Sequence, residues 1–276
     1  MNNNMNNNIQ WVVQRNLVSE NILSEVKEAC EKINVDYIEV DIIPFTNELP
    51  YFPTSKRSIF YGSITFNNLV YKNDSLKQGL FFNDNFNMKN YLNKWKEYML
   101  NYDSVLTTFK DLQNFNYGFD QPIFIRPNED DKSFSGEVKE FGEVKTWYEH
   151  IKTLNDNPNL DLNTKIIVGP PFHIKKEWRL WIVNKKVITS SLYRENFKLK
   201  KERGCPQDVI DFAEQRCLEY TPHDAFVMDI ALCGDSYYII ECGCLNGAGL
   251  YMSDIDKIVK NITDYFRKIG EKSLSL

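Results

Sequence analysis

The chain has 276 residues, of which 42% are hydrophobic and 26% charged, enough to bury a substantial core as one large domain or two smaller lobes. Its net charge of -5 and pI of about 5.4 give no overall attraction to a polyanion, so any nucleic-acid contact has to come from a local basic surface. No apolar run is long enough to span a bilayer, and the N-terminus lacks the order of a signal peptide, which predicts a cytoplasmic protein with no membrane partner.

In chain order, residues 1–8 (MNNNMNNN) are polar and of low complexity, and they read as a disordered tail. An N-terminal α/β domain is expected over 9–115. Short apolar runs at 11–13 and 37–43 alternate there with amphipathic helical stretches at 20–33 and 91–100. Pro50 and Pro53 mark a loop, 58–65 reads as a buried strand, and 104–112 reads equally as strand or helical connection. Over 116–276, β-branched and aromatic runs predict strands at 122–127, 137–142, 165–168, 174–183, 186–194, 225–233 and 237–242. Helices are predicted at 145–154, 206–219 and 254–269. Val209, Phe212, Ala213 and Cys217 recur at helical spacing, and Pro206 suits a first turn. The class is α+β, built from antiparallel hairpins. The six cysteines are scattered through a chain too large to need stapling, so they are expected to be reduced. Cys242 and Cys244 lack the spacing and the further ligands of a zinc site.

The most informative segment runs from Ala225 to Glu241 and reads as a hairpin with one acid on each apolar strand, Asp229 and Glu241. A three-residue loop, Gly234 to Ser236, places the two acids directly opposite one another. Like charges about 5 Å apart repel, so a buried pair calls for a shared proton or a cation, and Mg²⁺ answers that need. The alternatives are a two-residue turn, which sends Glu241 to the other face, and a pair of acids that simply face solvent. Asn246, in the turn-rich stretch after Glu241, offers a further neutral oxygen.

Arg126 ends an apolar strand, and the polar loop beyond it carries Lys132, Phe134 and Gly136. Such a loop can fold over phosphates, or it can be an acidic surface loop, given Glu129, Asp130 and Asp131. In the strand 174–183, Glu177, Arg179 and Trp181 point to one face and Trp178, Leu180 and Ile182 to the other. Arg179 with Glu177 is either an internal ion pair or a phosphate-binding arginine and the acid that orients it. Ile167, Val168 and Gly169, before two prolines, read as an interlobe hinge near 168–171 whose backbone meets an adenine edge.

Together these segments, over about 120–270, resemble the ATP-grasp superfamily, and within it the clade of predicted RNA ligases marked by two arginines and a lysine. The resemblance implies two α/β lobes clasping ATP, preceded by an N-terminal α/β domain. It implies that Arg126, Lys132, Phe134, Gly136, Arg179 and the hinge at 167–169 hold ATP, with Glu177 beside Arg179. Asp229, Glu241 and Asn246 take the places of the family's metal ligands. In such ligases the last two are commonly spaced Glu-x-Asn, whereas here four residues separate them. The activity implied is ATP- and Mg-dependent ligation by adenylyl or phosphoryl transfer, with an RNA end as the favoured acceptor and Lys198, Lys200, Lys201 and Arg203 as its basic track. The alternatives are a carboxylate-amine ligase working through an acyl phosphate, which suits an acidic protein, and a nucleotide-binding module without turnover.

Overall fold

The structure, a computed structural model, describes residues 8–43, 46, 48–130, 133–153 and 160–274. Most of the tail expected over 1–8 therefore lies outside the described residues, as does Lys132. The described strands form three sheets. In the first, β1 (Ile9–Gln14) lies between β2 (Asp36–Val40) and β3 (Arg57–Tyr61), parallel to both. An unbroken apolar run suits such a strand because both faces are covered. Trp11 and Val13 pack with α1 (Glu20–Lys32) and α7 (Ile255–Leu274), while Val12 packs with Phe60 and with Phe66 and Val70 of α2 (Ile64–Tyr71). The strand expected over 58–65 stops at Tyr61, because the Ser63 side chain accepts from the Phe66 N–H and starts α2. The helix expected over 91–100 is α3 (Met88–Trp95), capped by Asn87, and it ends where Lys96 takes a φ of 47°.

The second sheet is four-stranded, β4 (Val105–Thr108), β7 (Lys165–Gly169), β5 (Pro122–Pro127) and β6 (Glu137–Glu140) in spatial order, and all its pairs are antiparallel. Helices α4 (Phe109–Leu112) and α5 (Phe141–Thr153) cover one face through Phe109, Phe141 and Val144. The ambiguous segment 104–112 is thus a strand followed by a short helix. Because β4 pairs with β7, the boundary expected near 116 would cut this sheet, which begins at Val105. The strand expected over 137–142 gives way to α5 at Phe141.

The third sheet, β10-β9-β8-β11-β12, is antiparallel throughout. It contains β8 (Ile174–Val183), β9 (Lys186–Glu195), β10 (Lys198–Arg203), β11 (Ala225–Cys233) and β12 (Ser236–Gly243). The segment read as a basic track is the edge strand β10. Exposed along its whole length, it lacks the apolar alternation that reveals a strand. One face of the sheet, with Trp178, Leu180, Ile182, Phe226 and Met228, packs on α3 and on α6 (Gln207–Glu219). On the opposite face Trp181, Val183, Ala225 and Val227 join the core of α7 and β1. The chain end thereby returns to the first sheet: Ile262 and Phe266 are buried there, and the Trp11 indole N–H donates to Thr263 Oγ1 at 3.0 Å. The N-terminal sheet and the third sheet share one core, so a division at 116 separates no independent hydrophobic unit. No helix among the described residues is long and apolar enough to cross a membrane.

Candidate active site

The β11–β12 hairpin turns on two residues, Gly234 and Asp235, with Cys233 paired to Ser236. Gly234, at the first central position, has a φ of +62°, as tight hairpin turns favour. The expected three-residue loop is therefore corrected. That turn alone would place Asp229 opposite Ile240, but a bulge intervenes: the pairing passes from Ile230–Ile239 to Asp229–Glu241 and leaves Ile240 unpaired. Asp229 and Glu241 end up as direct cross-strand neighbours by a route that counting from the loop does not anticipate.

Guanidinium groups answer their mutual repulsion. Arg179 of β8, the cross-strand neighbour of Asp229 on its other side, donates from Nε and NH2 to the two carboxylate oxygens at 2.9 and 2.8 Å. Arg126, from β5 of the four-stranded sheet, reaches Glu241 Oε2 at 2.5 Å. The pair Arg126–Glu241 thus bridges two sheets, while Arg179–Asp229 lies within one. A third acid, the buried Glu177, accepts from the Tyr193 hydroxyl at 2.7 Å and from Arg194 at 3.3 Å. The Tyr193 oxygen also lies 3.3 Å from Asp229 Oδ2. Burial drives the Tyr193 hydroxyl far above its ordinary pKa, helped by the two carboxylates, so it stays a proton donor. Burial raises the Asp229 carboxyl as well, and Arg179 opposes that rise. Arg179 is strongly desolvated, yet the charge of Asp229 and the hydrogen bonds to it together outweigh that and hold its proton more firmly.

These groups line a cleft of about 940 Å³ between the third sheet and the four-stranded one. Phe134 and Gly136 border it, and a Cβ on Gly136 would sit 3.1 Å from the Phe124 ring and 3.3 Å from Arg126 Cβ, so a side chain there would press on both neighbours. The hinge residues are placed differently from expectation. Ile167 and Val168 pair in β7 with β4 on one edge and β5 on the other, Gly169 pairs with Phe124 of β5, and none of the three is among the residues lining the cleft. The cleft is lined instead by the connector that follows, Pro171 to Ile174, which leads from the four-stranded sheet into β8. Asn246 is corrected too. It is fully buried away from the cleft, with its amide donating to the Phe60 and Gly79 carbonyls at 2.6 and 2.9 Å and its Oδ1 accepting from the Phe81 N–H at 2.7 Å. It ties the turn after β12 to the N-terminal sheet. The wider spacing from Glu241 was the sequence signal for this different role.

Sequence reasoning missed Tyr193, Arg194 and Tyr251. The rings of Tyr193 and Tyr251 stack at 5.0 Å, and the Arg179 guanidinium lies over both. A bulge between Glu177 and Trp178 in the β8–β9 pairing aims Tyr193 at the acids, and nothing in local periodicity marks it. Phe172, His173 and Phe197 at the cleft mouth were likewise unforeseen.

The profile of the ATP-grasp domain, family 2 of the clade marked by two arginines and a lysine, matches residues 104–261. No curated protein matches in sequence. Among solved structures, the chain is similar to a RimK domain ATP-grasp protein from Sphaerobacter thermophilus, with a TM-score of 0.60 and 10% identity over 94% of this chain and 98% of that one. It is similar to the macrocyclase MdnC of Microcystis aeruginosa bound with its precursor peptide MdnA, with a TM-score of 0.56 and 11% identity over 93% and 99%. D-alanine–D-alanine ligase from Bacillus anthracis gives 0.55 and 11% over 96% and 99%. At such identities these likenesses speak for the fold over nearly the whole chain.

Proposed function

Because the chain belongs to the ATP-grasp superfamily, in the clade whose profile spans residues 104–261, we propose that its cleft binds Mg-ATP and that the protein is an ATP-dependent ligase joining a carboxylate to an amine through an acyl phosphate. The observation that carries the nucleotide site is the convergence of Arg126 and Arg179 from two different sheets on one cleft, each paired with a carboxylate. A phosphate offers a guanidinium the same forked acceptor geometry as a carboxylate, so a triphosphate entering the cleft competes for both arginines. Asp229 and Glu241 then present hard oxygen donors side by side. Mg²⁺ commonly takes one or two carboxylates beside substrate phosphates, and this pair fits that demand without Asn246. When bound, the metal neutralises charge on the phosphate oxygens.

Arg126 and Arg179 orient the triphosphate and stabilise charge that develops as the terminal phosphoryl group passes to the carboxylate. Phe134 and Gly136 border the cleft beside the phosphates, and Lys132, next to them in sequence, would add a cation. Glu177, the third acid, is paired with Arg194 and hydrogen-bonded by Tyr193, which lessens its repulsion of the nucleotide. The Pro171–Ile174 connector, through Phe172, together with Phe197 supplies an apolar wall for a base.

Two observations favour an amine ligase over an RNA ligase. The chain is acidic, and Lys200 of the presumed basic track is bound to Glu195 and Glu202, with Lys176 on Glu195 as well. RNA sealing remains the second reading on one specific observation: Lys198, Lys201 and Arg203 are exposed on β10, which follows Phe197 of the cleft lining.

The test has two stages. Mg-ATP at 100 times its Kd should stabilise the wild-type chain by about 2.7 kcal/mol, and Asp229→Asn with Glu241→Gln should abolish the shift. Incubation with carboxylates and amines should then release ADP and phosphate, whereas adenylated or joined 5′-phosphorylated RNA would make the second reading the right one. Protection without any product would leave a passive nucleotide-binding module.

A further inference from the structure

One strap of chain, from Met99 to Ser104, ties together the two sheets that form the cleft. At its start Met99 bridges to Ile239 of β12, and the Leu100 N–H donates to the Ile239 carbonyl at 2.9 Å. At its end Ser104 lies against Gly169 of β7, so closely that a Cβ on that glycine would collide with the serine hydroxyl. Between these anchors stands Asn101, whose backbone carbonyl accepts from the Ser104 N–H at 3.0 Å.

Asn101 is 3% exposed and lines the cleft. The other buried side-chain amides among the described residues, Gln10, Gln14, Asn128 and Asn246, all hydrogen-bond within the protein. The Asn101 side chain makes no such bond to any described residue. Its amide is not sealed in, as the unpartnered Trp181 indole nitrogen is, so the little surface that Asn101 keeps includes its amide nitrogen and oxygen. A buried donor and acceptor side by side, both unpaired and both open to a cleft, call for a ligand that offers an acceptor and a donor side by side.

The surroundings say which kind of ligand. Leu100 precedes Asn101, Ile240 is the bulged residue after Ile239, and Phe124 is the cross-strand partner of Gly169; all three line the cleft. Apolar walls with one amide at their edge suit a flat heteroaromatic ring. Gly169 also lies just before the Pro171–Ile174 connector, the wall already given to a base.

We infer that Asn101 reads the base of the nucleotide. Its Oδ1 accepts from the 6-amino group of adenine and its Nδ2 donates to the adjoining ring nitrogen, the forked pairing that asparagine side chains make with adenine. The inference rests on the Mg-ATP reading of the cleft. It gives to a side chain of the strap the role expected of the backbone at 167–169, which does not line the cleft. A metal ion or a phosphate would engage only one of the two amide atoms, and the cleft already offers Asp229, Glu241, Arg126 and Arg179 for those.

The test compares two nucleotides by calorimetric titration of the full chain in Mg²⁺: ATP, and purine riboside 5′-triphosphate, which lacks only the 6-amino group. The wild-type chain should bind ATP roughly tenfold or more tightly. In Asn101→Leu, close in volume and without the amide, that preference should fall below about threefold, chiefly because ATP is weakened. Asn101→Ala should show the same loss, so that the result does not depend on one variant folding. The preference is what a general defect does not move: damage to the fold, or a role for the amide at the ribose, phosphates or metal, weakens both nucleotides together. Equal weakening of the two, an unchanged preference in the variants, or a wild-type chain that binds both alike overturns the proposal while the nucleotide cleft stands. A wild-type chain that binds neither nucleotide removes the cleft reading, and the role of Asn101 with it.

Discussion

Replacing Arg179 by Met removes one partner of the most deeply buried ion pair at the site. Asp229 has 3% of its side chain exposed and Arg179 14%, and the two hydrogen bonds between them are forked and charge-assisted. After the change Asp229 keeps only the 3.3 Å approach of the Tyr193 hydroxyl among its side-chain partners. Leaving one charge of a buried pair without its partner costs about 3–5 kcal/mol. In a chain of this size that corresponds to a fall in Tm of roughly 5–9 °C. The sign of the pH dependence follows from the same burial. Asp229 already has its pKa raised by desolvation, with Arg179 holding it down. Without Arg179 it rises further above its unfolded value, so the folded variant binds the proton more readily than the unfolded chain. The variant's deficit is therefore largest above the folded pKa and shrinks as pH falls towards the unfolded value near 4. Thermal melts of Arg179→Met, Asp229→Leu and the double variant between pH 4.5 and 8 measure this, and the double variant should be more stable than Arg179→Met alone. A loss below about 1 kcal/mol for Arg179→Met, or a deficit that does not change with pH, would mean that water reaches Asp229 and that the pair is not buried.

Arg126→Met should raise the Kd for Mg-ATP by roughly tenfold or more, since a contact to a charged group is lost, while Tm moves little because Glu241 is one-third exposed; unchanged nucleotide affinity would remove Arg126 from the phosphate site. Asn246→Ala should cost about 2–4 kcal/mol, from the buried groups of Phe60, Gly79 and Phe81 left without partners, and leave the metal dependence of nucleotide binding intact. Weakened Mg²⁺ binding at an unchanged Tm would return Asn246 to the metal. Burial lowers the pKa of His223, against the pull of Asp224, and its Nδ1 accepts from the Ala225 N–H, which requires the neutral ring. The stability it contributes is complete above the unfolded value near 6.5 and is lost as pH falls through the lowered folded value. Melts from pH 7.5 to 5 should show a declining Tm that His223→Asn flattens, and parallel slopes for the two chains would locate the acid sensitivity elsewhere.

Legibility in the sequence followed the range of the interactions involved. Strands β5, β8 and β11 occupy the predicted residues because each carries its apolar alternation within itself. The opposite faces of Glu177 and Arg179 and of Trp178 and Leu180 follow from the same two-residue period. Strand β10 went unseen because an edge strand open to solvent on both faces carries no such period. The N-cap residues that end β3 at Tyr61 and start α2 and α3 are local signals too, present in the sequence but outweighed there by apolar runs.

By itself the amino-acid sequence determined the class of the fold, most of its strands, and the two acids and two arginines that meet at the cleft. Tertiary structure alone decided what those residues do to one another. Arg126 and Glu241 are 115 positions apart and meet because two sheets face each other, and one unpaired residue, Ile240, turns both acids to a common face. Asn246 lies only a turn beyond Glu241 yet serves the opposite end of the core. Periodicity along a strand records which side a residue faces, but the partner on that side is chosen by chain segments far away in sequence, and no local pattern carries their position.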